Sequence, residues 1–155
     1  MAKGEDMKEE IEVLYTEKEI EDKVKELAAK IDEDYKGKAI HLICVLKGGA
    51  MFMCDLAKRL KNPLVTMDFM AVSSYGNSTE SSGVVRIVKD LDEPLEGKHV
   101  LLVEDIVDTG RTLSHLTKLL QERNPASLKI CTLLDKPERR ECEVEVQYTG
   151  FQIPD

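Results

Sequence analysis

The stretch His99–Arg123, HVLLVEDIVDTGRTLSHLTKLLQER, decides the fold. Its first five residues, His99 to Val103, are an apolar run of strand length, and Leu113, Leu116, Leu119 and Leu120 then recur on one side of a helix over Arg111 to Arg123 that Asn124-Pro125 stops. An acidic segment and a Thr-Gly turn join the two. Upstream, Thr16 and Glu19 form a capping-box pattern, and Ile20, Val24, Leu27, Ala28 and Ile31 follow at helical spacing to an end near Gly37. Ala39 to Leu46 is a nearly continuous apolar run, the mark of a strand covered on both faces; Lys47, Gly48 and Gly49 break it, and Ala50 to Leu60 reads as a helix ended by Asn62-Pro63. Further strands are expected at Leu64 to Val72, Val84 to Lys89, Ser127 to Leu134 and Val144 to Tyr148. Strands alternating with helices predict an α/β fold, a three-layer, mostly parallel central sheet with helices on both faces, built as one domain over residues 1–155. Ligands of such sheets bind beyond the carboxyl ends of the strands, where both glycine turns fall.

Composition narrows the function. Of the 155 residues, 22 are Lys or Arg and 30 are Asp or Glu, a net charge of −8. That balance argues against nucleic acid and anionic membrane surfaces as partners, because both need clustered positive charge. A chain of this length buries roughly 70% of its unfolded surface, enough for a core without staples. Cys44, Cys54, Cys131 and Cys142 show no zinc or thiol-exchange spacing and read as small core residues in a reducing compartment. The acidic, polar first residues do not resemble a signal or transit peptide, and the longest apolar runs are far short of the roughly 20 residues of a membrane helix, so a cytoplasmic location is expected. His41, His99 and His115 stand at no ligand spacing and are expected to pack or face solvent.

The chemistry concentrates in VEDIVDTGRTL, residues 103–113. Glu104, Asp105 and Asp108 crowd three carboxylates into five residues, where mutual repulsion raises a pKa unless sugar hydroxyls or a magnesium ion compensate. Thr109, Gly110, Arg111 and Thr112 then open a helix, so that successive backbone N–H groups and two hydroxyls can cradle a phosphate. Acids for a diol beside amides for a phosphate describe a ribose 5-phosphate site. Neither the Walker lysine nor the Rossmann glycine triplet is present. On composition alone, the polar connection SSYGNSTESSG, residues 73–83, is either a lid or a hairpin tip. Arg139 and Arg140 read as part of a solvated turn.

Two acidic residues at a strand end followed by Asp-Thr-Gly resemble the signature of the type I phosphoribosyltransferases. Within that family the closer likeness, running from about Val13 to the end of the chain, is to the members that act on hypoxanthine and guanine. Leu46-Lys47-Gly48-Gly49 is similar to the family's pyrophosphate loop, which turns on a non-proline cis bond before the glycines. Ser73, Ser74, Tyr75 and Gly76 resemble its flexible loop, whose closure would shield a ribosyl cation from water. Lys136 matches the lysine that donates to the purine's exocyclic oxygen. The resemblance implies purine salvage: transfer of 5-phosphoribosyl from phosphoribosyl pyrophosphate to N9 of hypoxanthine or guanine, with Mg2+, giving IMP or GMP and pyrophosphate. By the same resemblance Asp108 is the general base, Glu104 and Asp105 take the ribose hydroxyls and order the metal, Asp108 to Thr112 hold the 5-phosphate, and Lys47 with Gly48 hold pyrophosphate. It further implies a small hood region over the sheet, assembly as a homodimer or homotetramer, and a C-terminal segment beyond the equivalent of Asp155, relative to which the chain is incomplete. The alternative function is a non-catalytic regulator of the same fold that binds phosphoribosyl pyrophosphate or RNA, or an inactive fragment of the enzyme.

Overall fold

The computed structural model describes residues 14–74 and 84–155. Helix α1 (Glu17–Asp34) begins at Thr16, whose hydroxyl accepts from the Glu19 N–H while the Glu19 carboxylate accepts from the Thr16 N–H. This reciprocal cap is worth about 1 kcal/mol. The chain continues through β1 (Ile40–Leu46), α2 (Ala50–Arg59), β2 (Val65–Ser74), β3 (Val85–Lys89), β4 (His99–Val107), α3 (Arg111–Gln121), β5 (Ser127–Asp135), a 3-10 turn (Pro137–Arg139) and β6 (Tyr148–Gln152).

The six strands form one sheet in the order β3-β2-β1-β4-β5-β6, parallel throughout except for the antiparallel edge pair β2/β3. The two central strands, β1 and β4, each carry a continuous apolar run, Leu42 to Leu46 and Val100 to Val103, because both of their faces are covered there. Ile40, Leu42 and Cys44 of β1, with Leu101 and Val103 of β4, meet Val24, Leu27, Ala28 and Ile31 of α1 and Phe52, Met53 and Leu56 of α2. Their sequence neighbours point the other way: Ile43, Val100 and Leu102 meet Leu113, Leu116 and Leu120 of α3. The expected three-layer α/β architecture is therefore present.

Two segments differ from the sequence expectation. β4 runs on to Val107 rather than ending at Val103, because β5 stays alongside it: Glu104 pairs with Thr132, Ile106 with Leu134 and Val107 with Asp135. The last strand is Tyr148–Gln152, not Val144 to Tyr148. Val144 and Val146 instead pack against the core beneath α3, and the Gln147 side chain accepts the Ile130 N–H at 2.8 Å, in place of a neighbouring strand at that point of β5. The cysteines also divide differently. Cys44 and Cys131 are buried as expected, Cys142 is half-buried, and Cys54 is exposed on α2; all four are free thiols.

Candidate active site

Register brings three loops to one edge of the sheet. Cys44 of β1 lies level with Val103 of β4, so the Lys47–Gly49 turn that follows β1 stands beside Glu104 and Asp105. Val107 is paired with Asp135, and the Lys136 N–H donates to the Val107 carbonyl at 2.9 Å, which sets Lys136 beside Asp108. β2 extends past the end of β1, where Ala71 faces Leu46, so Ser73 and Ser74 overhang the same edge. Tyr75 and Gly76, the rest of the expected flexible loop, lie outside the described residues.

A cavity of about 310 Å³ opens at this edge, with Gly48, Glu104, Asp108, Thr109, Gly110 and Thr112 in its wall and Val45, Val107 and Leu113 beneath. Six of the expected site residues thus share one cleft. Lys47, Asp105, Arg111 and Lys136 flank it rather than line it.

The peptide bond between Leu46 and Lys47 is cis, as the resemblance implies. The turn that follows lies tight against β4: a Cβ on Gly49 would stand 3.0 Å from the Val103 carbonyl, and one on Gly48 would stand 3.2 Å from Asp105 Oδ2. Only glycines let this backbone approach the carboxylates so closely.

Glu104 is the most perturbed acid of the cleft. Burial chiefly, and the negative charge of Asp105 next, push its carboxyl up to about 8. Among the described residues no cation or donor compensates it, and it sits where a ligand can bring one. Asp105 is anchored differently, its Oδ1 accepting the Ile106 N–H at 2.9 Å. Because the Glu104 carboxyl binds its proton more tightly folded than unfolded, its contribution to stability is complete below about 4.5 and is lost as pH rises through about 8. The ligand-free protein is expected to lose thermal stability across this window, and Glu104→Gln to flatten the loss. Calorimetric scans of the two proteins from pH 5 to 8.5 check this; parallel curves would contradict it.

At the phosphate turn, Gly110 has φ +82°, and a Cβ there would meet Val144 Cγ2 at 2.9 Å and the Cys142 carbonyl at 3.0 Å. Both conformation and space demand glycine. Gly110 offers no side-chain cap to α3, and the Thr109 hydroxyl accepts from the Arg111 N–H at 3.3 Å, so the following first-turn N–H groups and the Thr112 hydroxyl are disposed toward an anion in the cleft. The Thr109 carbonyl accepts from the Glu141 N–H at 2.8 Å, and Arg111 forms an ion pair with Glu141, so the segment after β5 braces the turn from outside.

That segment also holds what sequence reasoning missed. Arg140 donates to the Asp108 carbonyl at 2.8 Å and to Asp135 Oδ1 at 2.6 Å, both side chains of the Arg140–Asp135 pair being largely buried. Arg139 Nε lies 2.7 Å from Asp108 Oδ1, a charge contact rather than an aligned hydrogen bond, and its Nη1 donates to Asp155 at 3.1 Å. Arg139 keeps the exposed place expected of a solvated turn, whereas Arg140 is drawn inward: β5 and β4 end side by side, so a turn leaving β5 falls on the residues leaving β4. The only sequence signal was two arginines following a strand end that carries a carboxylate. The histidines behave as expected, His41 against Thr66 and His99 against Ser127. Among the described residues no group of three His, Cys, Asp or Glu side chains is placed to hold a metal, and no helix is long and apolar enough to cross a membrane.

A parallel sheet with a diacid, a phosphate turn and a Lys-Gly-Gly loop on adjacent strand ends defines a class, and comparison gives the same answer: residues 10–155 match the phosphoribosyl transferase domain, and the chain belongs to that family. Within it, the relatives are hypoxanthine-guanine phosphoribosyltransferases. That of Staphylococcus aureus is 52% identical over 144 residues, 93% of this chain and 80% of the relative; that of Bacillus subtilis is 51% identical over 150 residues, 96% of this chain and 83% of the relative. A crystal structure of a Staphylococcus aureus hypoxanthine phosphoribosyltransferase superposes with a TM-score of 0.90 at 51% identity, covering 93% of this chain and 78% of that one.

Proposed function

We propose that the chain is a purine-salvage phosphoribosyltransferase that transfers 5-phosphoribosyl from phosphoribosyl pyrophosphate to N9 of hypoxanthine or guanine. The observation that carries this reading is the convergence, in one cleft, of the Glu104 carboxyl, the Asp108–Thr112 turn and the Gly48 loop. In the reaction the C1′–O bond to pyrophosphate breaks, the C1′–N9 bond forms, and the purine gives up its N7 proton. Asp108 to Thr112 hold the 5-phosphate through backbone N–H groups and hydroxyls. Glu104 and Asp105 take the ribose hydroxyls, and Lys47 and Gly48 hold the leaving pyrophosphate. Asp108 accepts the N7 proton as general base. Charge builds on the ribosyl carbon, so catalysis is mostly positioning plus electrostatic stabilisation.

Two vicinal carboxylates with hard oxygen donors suit Mg2+, which is commonly held by one or two carboxylates together with substrate phosphates. The absence of a three-ligand protein cage among the described residues fits an ion that arrives with the diphosphate. Glu104 and Asp105 would hold it, and when bound it neutralises charge on pyrophosphate and the ribose oxygens. A cytoplasmic enzyme, assembled as a homodimer or homotetramer, is the setting the resemblance implies; sedimentation velocity reads the assembly.

Lys136 is the residue that reads the base. Its backbone N–H donates to the Val107 carbonyl, which sets the residue beside Asp108, and its side-chain ammonium donates to the 6-oxo group. Lys136→Ala is expected to raise KM for hypoxanthine and guanine by about 10- to 100-fold, the loss of one charge-assisted hydrogen bond, with KM for phosphoribosyl pyrophosphate nearly unchanged. Steady-state kinetics with hypoxanthine, guanine and adenine test both claims: a parent enzyme that prefers adenine would overturn the 6-oxopurine reading.

A further inference from the structure

The 3-10 turn Pro137–Arg139 starts from Lys136, and the Arg139 N–H donates to the Lys136 carbonyl at 3.1 Å, so one turn carries the purine-side lysine and Arg139 together. Arg139 stands between two carboxylates, Nε at Asp108 and Nη1 at Asp155. Asp155 accepts from Nη1 while the Nε edge of the same guanidinium faces Asp108. Asp108 Oδ1 is shut away from solvent, whereas the side chain as a whole is 46% exposed. The carboxylate thus has one covered oxygen, against Arg139, and one, Oδ2, left to meet a ligand in the cleft.

We propose that Arg139 is a positioning residue for Asp108: by occupying Oδ1 it fixes the plane of the carboxylate and presents Oδ2 to the purine. This rests on the reading of Asp108 as the general base. A free Asp side chain turns about its terminal torsion over a broad, roughly two-fold range, so a fixed partner on one oxygen restricts where the other points. Proton transfer is sensitive to that direction, since a base must lie within hydrogen-bond reach of the proton it takes. Arg139 is itself 42% exposed, so its removal spares the core.

The test is a double-mutant cycle on the full chain. Arg139→Ala is expected to lower kcat by about tenfold with KM for phosphoribosyl pyrophosphate within about twofold, and Arg139→Lys to restore part of the loss. In the double variant Asp108→Asn/Arg139→Ala, kcat is expected to equal that of Asp108→Asn alone, because a residue that acts through Asp108 has nothing to position once the carboxylate is gone. The same cycle is read without turnover in the Kd of 9-deazaguanosine 5′-monophosphate, whose ring carries a proton at N7 and whose C-glycosidic bond cannot break. Arg139→Ala should weaken it by about fivefold, with no further loss in the double variant. Parent values for Arg139→Ala in both kcat and Kd, or losses that multiply in the double variant, would overturn the inference while leaving Asp108 in place. Parent values for Asp108→Asn would instead remove the general-base reading, and the positioning role with it.

Discussion

Asp108→Asn is expected to lower turnover by about 10²- to 10⁴-fold, the usual contribution of a general base, and to leave the affinity for phosphoribosyl pyrophosphate nearly intact. The split follows from where the atoms are. In the proposed function the 5-phosphate is held by N–H groups and hydroxyls of residues 108–112, and an amide side chain at position 108 would disturb none of them. What asparagine cannot do is take a proton. Its size is that of aspartate, so the turn at Gly110 and the hydrogen bond from Arg140 to the residue-108 carbonyl remain. Stopped-time product assays beside calorimetric titration with phosphoribosyl pyrophosphate separate the two quantities. Unchanged turnover would take Asp108 out of the mechanism, and a lost titration would make it a ground-state binding group instead.

Arg140→Met is expected to cost about 3–5 kcal/mol of folding stability, the effect of stranding one member of a buried ion pair. Asp135 is 5% exposed, and its guanidinium partner is the group that ties it to the Asp108 carbonyl. Without Arg140, a buried carboxylate at the end of β5 faces no cation, and the phosphate turn loses its brace. The companion variant Arg140→Met/Asp135→Leu regains most of the loss, since replacing both members by apolar groups is often neutral. Urea denaturation of parent, single and double variants measures this. Equal midpoints for parent and Arg140→Met would mean that the pair contributes little and the turn is held by the Glu141 and Cys142 N–H groups on Thr109.

The parts of the fold that local chemistry determines were legible in the residues. The Thr16–Glu19 cap, the double-faced apolar runs of β1 and β4, and the leucine stripe of α3 each follow from spacing within one element, and each is present. The diacid and the Asp-Thr-Gly turn stood out as a candidate ribose 5-phosphate site because they crowd together at one strand end, and Glu104, Asp108, Thr109 and Gly110 do share one cleft. Lys47 and Lys136 were not legible in that way. Each is an ordinary turn lysine until the strand order places β1 and β5 on either side of β4. The misplacement of β6 has the same origin: Val144 and Val146 alternate as a strand would, but their alternation serves the core under α3, and only the tertiary position of Gln147 reveals that pairing begins later. Arg140 was misread because charge in a turn usually faces water, and the carboxylate that claims it, Asp135, belongs to a strand end turned inward; Arg139 does face water, but its contact with Asp108, distant in sequence, was not legible.

The most direct measurement is the spectrophotometric conversion of hypoxanthine or guanine by the 155-residue chain with phosphoribosyl pyrophosphate and magnesium. The account predicts IMP or GMP in amounts equal to the pyrophosphate released, with no product when the base is omitted. Tight binding of phosphoribosyl pyrophosphate with no nucleotide formed from either base would contradict it, and would leave a sugar-phosphate binding protein in place of an enzyme.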